Sequence, residues 1–331
     1  MIAYLHKVRV STFVSVIFFL TWIIVTLFVN NSYATHIIFM VSIYACLSLS
    51  LNIAVGITGL SNMSHATFFG IGAYVAALLA LKVGASFIVT LIASGLVAMV
   101  FGLIIGAPTL RLKGFFLSLA TISFGQLIRA IEVSWVSLTN GPMGLKGIPG
   151  ATVGGYVFSV KAYTLYAVLL IIACYYVSGR LLACKTGRAM MAIKSDDLVA
   201  KSLGINTTYY KVMAFALSAL FAGMVGSIYA HRTMFVSPDS FTQTDSTTIL
   251  CMVILGSSGS LLGPLIGAII LQVAPEVLRF ADDFRLVFVG VVMILGVLSK
   301  ELHWSEKIKA IIMRTIHRQG PQKEVDQNCR S

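Results

Sequence analysis

Asn52, Ser61, Asn62, Ser64 and His65 crowd uncharged hydrogen-bonding side chains into one short stretch of a 331-residue chain that is otherwise 58% hydrophobic. Amides, hydroxyls and an imidazole can exchange hydrogen bonds with water or a small polar solute. They include no nucleophile paired with a general base, and no metal-ligand cluster surrounds them. Glycines at 56, 59, 70 and 72 break the same stretch. At membrane depth, irregular polar backbone persists only where it is buried in protein or lines a cavity. The chemistry on offer is therefore passage of a solute. Gln126 joins the candidates because a polar side chain inside an apolar window should face a bundle interior or a wet cavity. Arg129 stands near it, either in such a place or snorkelling outward. His65 keeps two readings: a pathway or gating residue, or a structural histidine that satisfies carbonyls freed near Gly59 and Gly70. His6, His36, His231, His303 and His317 lie far from it in sequence and offer no metal set.

The elements that must position these groups follow from composition. With 11% charged residues and a mean hydropathy of +0.92, the chain is too apolar for a soluble domain. An all-α polytopic membrane protein is expected, with about 8–10 transmembrane helices including broken or re-entrant segments. The apolar windows fall at 11–29, 37–55, 63–82, 87–106, 114–131, 163–183, 211–230, 246–262, 263–280 and 284–299. Of these, 63–82, 246–262 and 263–280 are rich in small or polar residues and are candidates for half-helices. Small residues recur at four-residue spacing, as in Gly72, Ala76 and Ala80, Ala219, Gly223 and Ser227, and Gly259, Gly263 and Gly267, which marks helix faces that pack closely.

The membrane domain runs over 1–301. Beyond it, 302–331 reads as a cytoplasmic amphipathic helix, with Ile308, Ile311, Ile312 and Ile316 set against Lys307, Arg314 and Arg318, followed by a disordered tail. Placing both termini in the cytoplasm gathers Lys7, Arg9, Arg180, Lys185, Arg188, Lys194 and the basic residues from Lys300 onward on that side. Fewer, including Lys82, Arg129, Lys146 and Lys161, remain outside. The net charge of +12 is thus a matter of topology, and no nucleic acid partner is implied. The run from Ser11 to Val29 is too long for a signal-peptide core and reads as a retained first span. The five cysteines show no CxxC spacing.

Two connecting segments carry information. An external loop at about 132–162 contains the turn-rich sequence from Thr139 to Gly150, either a feature of its own or a mere connector. A cytoplasmic segment at about 184–210 contains a short helix over 196–203, with Ser195 as N-cap, Asp196 and Asp197 in its first turn, and Gly204 as its stop. Leu198, Val199, Ser202 and Leu203 share one face, which seeks either a protein partner or lipid headgroups. Asn206 is expected to cap the next span.

Three blocks carry a family resemblance. Gly59-Leu60-Ser61-Asn62-Met63-Ser64-His65-Ala66-Thr67-Phe68-Phe69-Gly70-Ile71-Gly72-Ala73-Tyr74 resembles the signature of branched-chain amino acid ABC transporter permeases. Gly187-Arg188-Ala189-Met190-Met191-Ala192-Ile193-Lys194-Ser195-Asp196-Asp197, then Leu203-Gly204-Ile205-Asn206, is similar to that family's cytoplasmic loop. Ser237-Pro238-Asp239-Ser240-Phe241, with Leu255-Gly256 and Gly259-Ser260-Leu261-Leu262-Gly263-Pro264, resembles its C-terminal half, in the LivM-like rather than the LivH-like version. Lys201 stands where the family usually has a glutamate.

The resemblance implies a bacterial inner-membrane permease for branched-chain or related amino acids. Its implied partners are a LivH-like second permease subunit, two ATP-binding cassette subunits and an external solute-binding protein. Asp196, Asp197, Leu198, Val199, Leu203 and Gly204 would then form the helix that couples to the ATPase. No G-x-x-x-x-G-K-[ST] loop occurs in the sequence, so ATP and Mg are expected on partner subunits, with no cofactor and no catalytic site in this chain. None of the 12 acidic residues lies mid-window, which weighs against a proton- or sodium-driven carrier. Permeases for urea, short amides or another small polar solute, and an ATP-independent transporter or channel, are the alternatives.

Overall fold

The computed structural model describes residues 15, 17–29, 31–109, 112, 114–153 and 156–277, and the positions 290, 291 and 294. The 284–299 window, apart from those three positions, and the amphipathic tail over 302–331 lie outside the described residues.

The described helices are α1 (Ile17–Phe28), α2 (Ser32–Asn52), α3 (His65–Leu78), α4 (Phe87–Thr109), α5 (Phe115–Ser134), α6 (Val136–Thr139), α7 (Val160–Ala183), α8 (Lys185–Ser195), α9 (Asp197–Ser202), α10 (Thr207–Thr233), α11 (Gln243–Leu255) and α12 (Gly263–Val277). A π-helical turn over Ile53–Ile57 prolongs α2, and another over Leu79–Val83 prolongs α3. With these additions, α2, α3, α4, α5, α7 and α10 are each long and apolar enough to cross a membrane. The 63–82 window is thus a full-length helix and not a half-helix.

The starts of these helices follow from side chains that take up otherwise orphaned N–H groups. Asn31 Oδ1 accepts from Tyr33 N at 3.0 Å, and Asn206 Oδ1 accepts from Tyr209 N at 3.1 Å, as expected for the cap of α10. Thr242 and Asp245 form a reciprocal capping box at the head of α11.

Helices α3, α4 and α10 pack backbone to backbone through small residues. A Cβ on Gly72 would lie 2.2 Å from the Gly223 carbonyl oxygen, one on Gly223 would lie 2.5 Å from the Ser94 oxygen, and one on Gly226 would lie 2.3 Å from the Phe69 oxygen. These are the packing faces that the four-residue spacing predicts. Helix α2 is mostly buried, whereas α4 and α5 sit at the rim. The outward row Ile88, Ile92, Leu96 and Leu103 on α4 suits contact with acyl chains or another apolar helix.

Helix α11 is too short to cross, and so is α12 over its described residues. They form an antiparallel hairpin whose turn spans 256–262, with Gly256 against Gly263 and Gly267 against the Met252 carbonyl. The 246–262 window is therefore a broken segment, a short helix followed by a turn. At the end of the bundle where α10 finishes, strand β1 (Leu145–Lys146) pairs antiparallel with β4 (Phe235–Val236), and β2 (Thr152–Val153) pairs with β3 (Tyr156–Val157). The 132–162 loop is thus more than a slack connector. His231 Nδ1 pairs with the Pro149 carbonyl at 2.9 Å and the Tyr163 hydroxyl accepts from Ala151 N at 2.6 Å, fixing the loop further. Helices α8 and α9 lie at the opposite ends of α7 and α10.

Candidate pathway and coupling segment

Two breaks in the helical bundle meet. One is the π-helical turn and irregular run between α2 and α3, and the other is the turn between α11 and α12. Asn52 is fully buried and clasps them: its Oδ1 accepts from Gly259 N at 2.9 Å and its Nδ2 donates to the Ser260 carbonyl at 2.8 Å. A Cβ on Gly56 would lie 1.8 Å from Asn52 Oδ1 and 2.7 Å from Gly259 N, so no side chain fits between the breaks. From the α8–α9 side, Lys194 Nζ donates to the Gly56 carbonyl at 2.5 Å. Asn52→Ala is expected to lower stability by about 1–3 kcal/mol, since two part-buried hydrogen bonds, from Gly259 N and to the Ser260 carbonyl, are lost together. The drop in thermal unfolding midpoint of detergent-purified protein measures it.

The start of α3 is wired into its neighbours in the same way. Met63 N donates to Thr121 Oγ1 on α5 at 3.3 Å, the Met63 carbonyl accepts from Gln243 Nε2 at 2.6 Å, and Ala66 N donates to Ser246 Oγ on α11 at 3.0 Å. Asn62 Oδ1 accepts from Ser64 N at 3.1 Å. His65 Nε2 and Ser50 Oγ lie 2.8 Å apart, and that hydroxyl also donates to the Leu47 carbonyl. Asn62 Nδ2, Ser64 Oγ and His65 Nδ1 are buried and have no hydrogen-bond partner among the described residues. Of the pathway candidates, then, Asn52, Asn62, Ser64 and His65 are buried, whereas Ser61 and Gln126 are exposed.

Gln126 does not stand alone. Ser123 is exposed beside it on α5, and Thr244 and Thr247 are exposed on α11. The two helices meet near Gly125, whose Cβ position lies 3.7 Å from Gln243 Oε1 and 3.0 Å from Thr67 Oγ1. Of these exposed polar residues on the two helices, only Gln126 was anticipated. The signal for those on α11 was the run Thr242-Gln243-Thr244-Asp245-Ser246-Thr247-Thr248, polar at the head of a membrane window. Toward the β1–β4 end, Arg129 and Asp239 form an ion pair at 2.7 Å that is open to solvent and contributes about 0–1 kcal/mol at most.

The α8–α9 corner differs from the expectation in one detail. Helix α8 runs through Ser195, whose hydroxyl donates back to the Met191 carbonyl, so Ser195 is not the N-cap of the next helix. Asp196 is: extended at φ −158°, it accepts from Leu198 N and Val199 N at 2.8 and 3.1 Å. Asp197 turns inward to Lys211 on α10 at 2.9 Å. The helix ends in a Schellman motif, with Ile205 N donating to the Ala200 carbonyl and Gly204 N to the Lys201 carbonyl, and Gly204 at φ +81°. Leu198, Val199 and Leu203 are 65%, 54% and 75% exposed, whereas Ala200 is buried. The apolar ridge therefore points away from the other described residues.

The model of the family described as branched-chain amino acid transport system / permease component matches residues 33–297. The chain belongs to this family. It is 35% identical over 280 residues to the high-affinity branched-chain amino acid transport system permease protein LivM of Salmonella typhimurium, covering 77% of this chain and 66% of that protein. It is 35% identical over 277 residues to LivM of Escherichia coli strain K12, covering 76% of this chain and 65% of the relative. The chain thus spans just under two thirds of the length of both relatives. The LivH permease protein of Salmonella typhimurium is 26% identical over 256 residues, covering 70% of this chain and 80% of the relative. No solved structure matches the chain. The three blocks of family resemblance converge in this permease fold, because Gly59, Lys194 and Gly259 all lie at the junction of the two breaks.

Proposed function

We propose that this chain is the permease subunit of an ATP-binding cassette importer, passing branched-chain or related amino acids delivered by an external binding protein. The carrying observation is the outward apolar ridge of α9 on a capped corner that is tied into the bundle, together with family membership. A ridge of this kind suits a groove on an ATPase, and rigid-body movement of a capped helix is one way to move the spans behind it. In this reading two ATP-binding cassette subunits bind ATP and Mg, and a LivH-like permease completes the membrane pair. The protein lies in the bacterial inner membrane with both termini in the cytoplasm, α8–α9 on that side and the β1–β4 end outside.

The solute moves along the exposed polar face of Ser61, Gln126, Ser123, Thr244 and Thr247, while Asn52, Asn62, Ser64 and His65 form the wall behind it. A face of amides and hydroxyls without fixed charge lets a zwitterion exchange hydrogen bonds without being trapped by an ion pair. Proteoliposomes holding this chain with its partners are expected to take up labelled leucine only with ATP and the liganded binding protein, and the chain alone should hydrolyse no ATP. Uptake without ATP would overturn the reading in favour of a secondary transporter.

Cysteine accessibility tests the route. With Cys184, Cys251 and Cys329 replaced, Gln126→Cys and Thr247→Cys should react with a water-soluble thiol reagent, because only wet thiols ionise readily. Ile92→Cys on the apolar rim should stay inert. Equal inertness of all three places the route elsewhere.

A further inference from the structure

We propose that Lys194 is a positioning residue that carries movement of the α8–α9 corner into the two membrane breaks. This rests on the permease reading and deepens it. Lys194 occupies the last turn of α8 and reaches the breaks with both its backbone and its side chain. A Cβ on Gly59 would lie 3.4 Å from Lys194 Cα and 3.0 Å from its Cγ, so the two chains touch there. Its ammonium donates to the Gly56 carbonyl, and Nζ lies 3.3 Å from the Cβ position of Gly259. The Gly56 oxygen lies 3.1 Å from that same position. One cation therefore sits where the α2–α3 break and the α11–α12 turn meet.

The electrostatics favour that placement. The end of α2 presents carbonyls with partial negative charge and incomplete helical pairing, and a cation there is stabilised. Only Ser195 separates Lys194 from Asp196, which caps α9. The ammonium and the outward ridge are therefore two ends of one short, tightly hydrogen-bonded corner. Asp197, bonded to Lys211, links the same corner to α10. A partner that displaces α9 thus moves Lys194 against Gly56 and Gly259, and the Asn52 clasp passes the displacement to both breaks together.

The test uses the complete complex with its ATPase and binding-protein partners. Lys194→Met keeps the apolar stem and removes the donors, and Lys194→Arg restores a cation. K194M is expected to assemble and hydrolyse ATP at the unmodified rate, while uptake per ATP falls roughly tenfold, an ordinary size for coupling between sites. K194R should recover most of it. In the same complex, Ser61→Cys is expected to change its reactivity toward a water-soluble thiol reagent when nucleotide is trapped on the ATPase, and this change should disappear with K194M. If K194M does not fold, Lys194→Cys treated with an aminoethylating reagent replaces it, since the adduct restores an ammonium of similar reach; uptake per ATP should be low before treatment and recover after it. Unchanged uptake per ATP in K194M, or a Lys194→Cys protein indifferent to aminoethylation, overturns the proposal. Failure of the unsubstituted complex to transport at all would instead sink the permease reading.

Discussion

Gly223→Val is expected to leave no folded protein to assay. A Cβ at this position would meet the Ser94 oxygen and the Ala98 Cβ, both at 2.5 Å, while the Gly223 carbonyl is itself the surface on which Gly72 rests. Overpacking typically costs about 1–3 kcal/mol when side chains can shift. Here the obstructing atoms are largely backbone, so α4 would have to separate from α10, and α3 would lose its seat on the same helix. The effect should therefore exceed the top of that range. Fluorescence-detected size exclusion of tagged protein would show loss of the monodisperse peak. Gly179→Ala supplies the control, because its Cβ would meet only Leu261 Cδ1, at 3.6 Å, and it should behave as the unsubstituted chain does. A well-folded Gly223→Val protein would mean that the three helices do not meet as described.

Leu203→Asp is expected to fold normally and to fail in assembly. Leu203 is 75% exposed, and surface substitutions of that kind change stability by about 0.5 kcal/mol or less. If α9 docks on an ATPase, the new carboxylate is buried there without a partner, at about 3–5 kcal/mol by analogy with a broken buried pair. That corresponds to a loss of affinity of more than a hundredfold. Co-purification of the tagged ATPase reads the effect directly, with the thermal midpoint of the isolated permease as the folding control. Retained co-purification with normal uptake would remove α9 from the interface.

Much of this architecture was legible in the residues. Six of the ten apolar windows became membrane-length helices among the described residues, the small-residue stripes became close helix contacts, and Asn206 and Gly204 begin and end helices because their capping chemistry is local. The helix start at Asp196 instead of Ser195 shows the limit of local signals: both residue types cap well, and the choice fell to how far α8 continued. The burial of Asn52, Asn62, Ser64 and His65 was not legible. Where nearly every face of a helix is apolar, sequence periodicity does not say which face looks inward, and a polar group can be either wall or lining. The partners that decide it, Ser260 for Asn52, Gln243 for Met63 and Ser246 for Ala66, come from the distant end of the chain. The same holds for Thr244 and Thr247, whose exposure depends on α11 being a half-helix set beside α5.

The Asn52 clasp also bears on how the protein is made. Its partner Gly259 lies 207 residues further along the chain, which at ordinary rates of synthesis is on the order of ten to forty seconds. Throughout that interval the amide of Asn52 is already in the nascent membrane segment while the groups that satisfy it have not been translated. Arrival of the α11–α12 turn supplies the partners of that amide, so this junction matures only after residue 260 has been made.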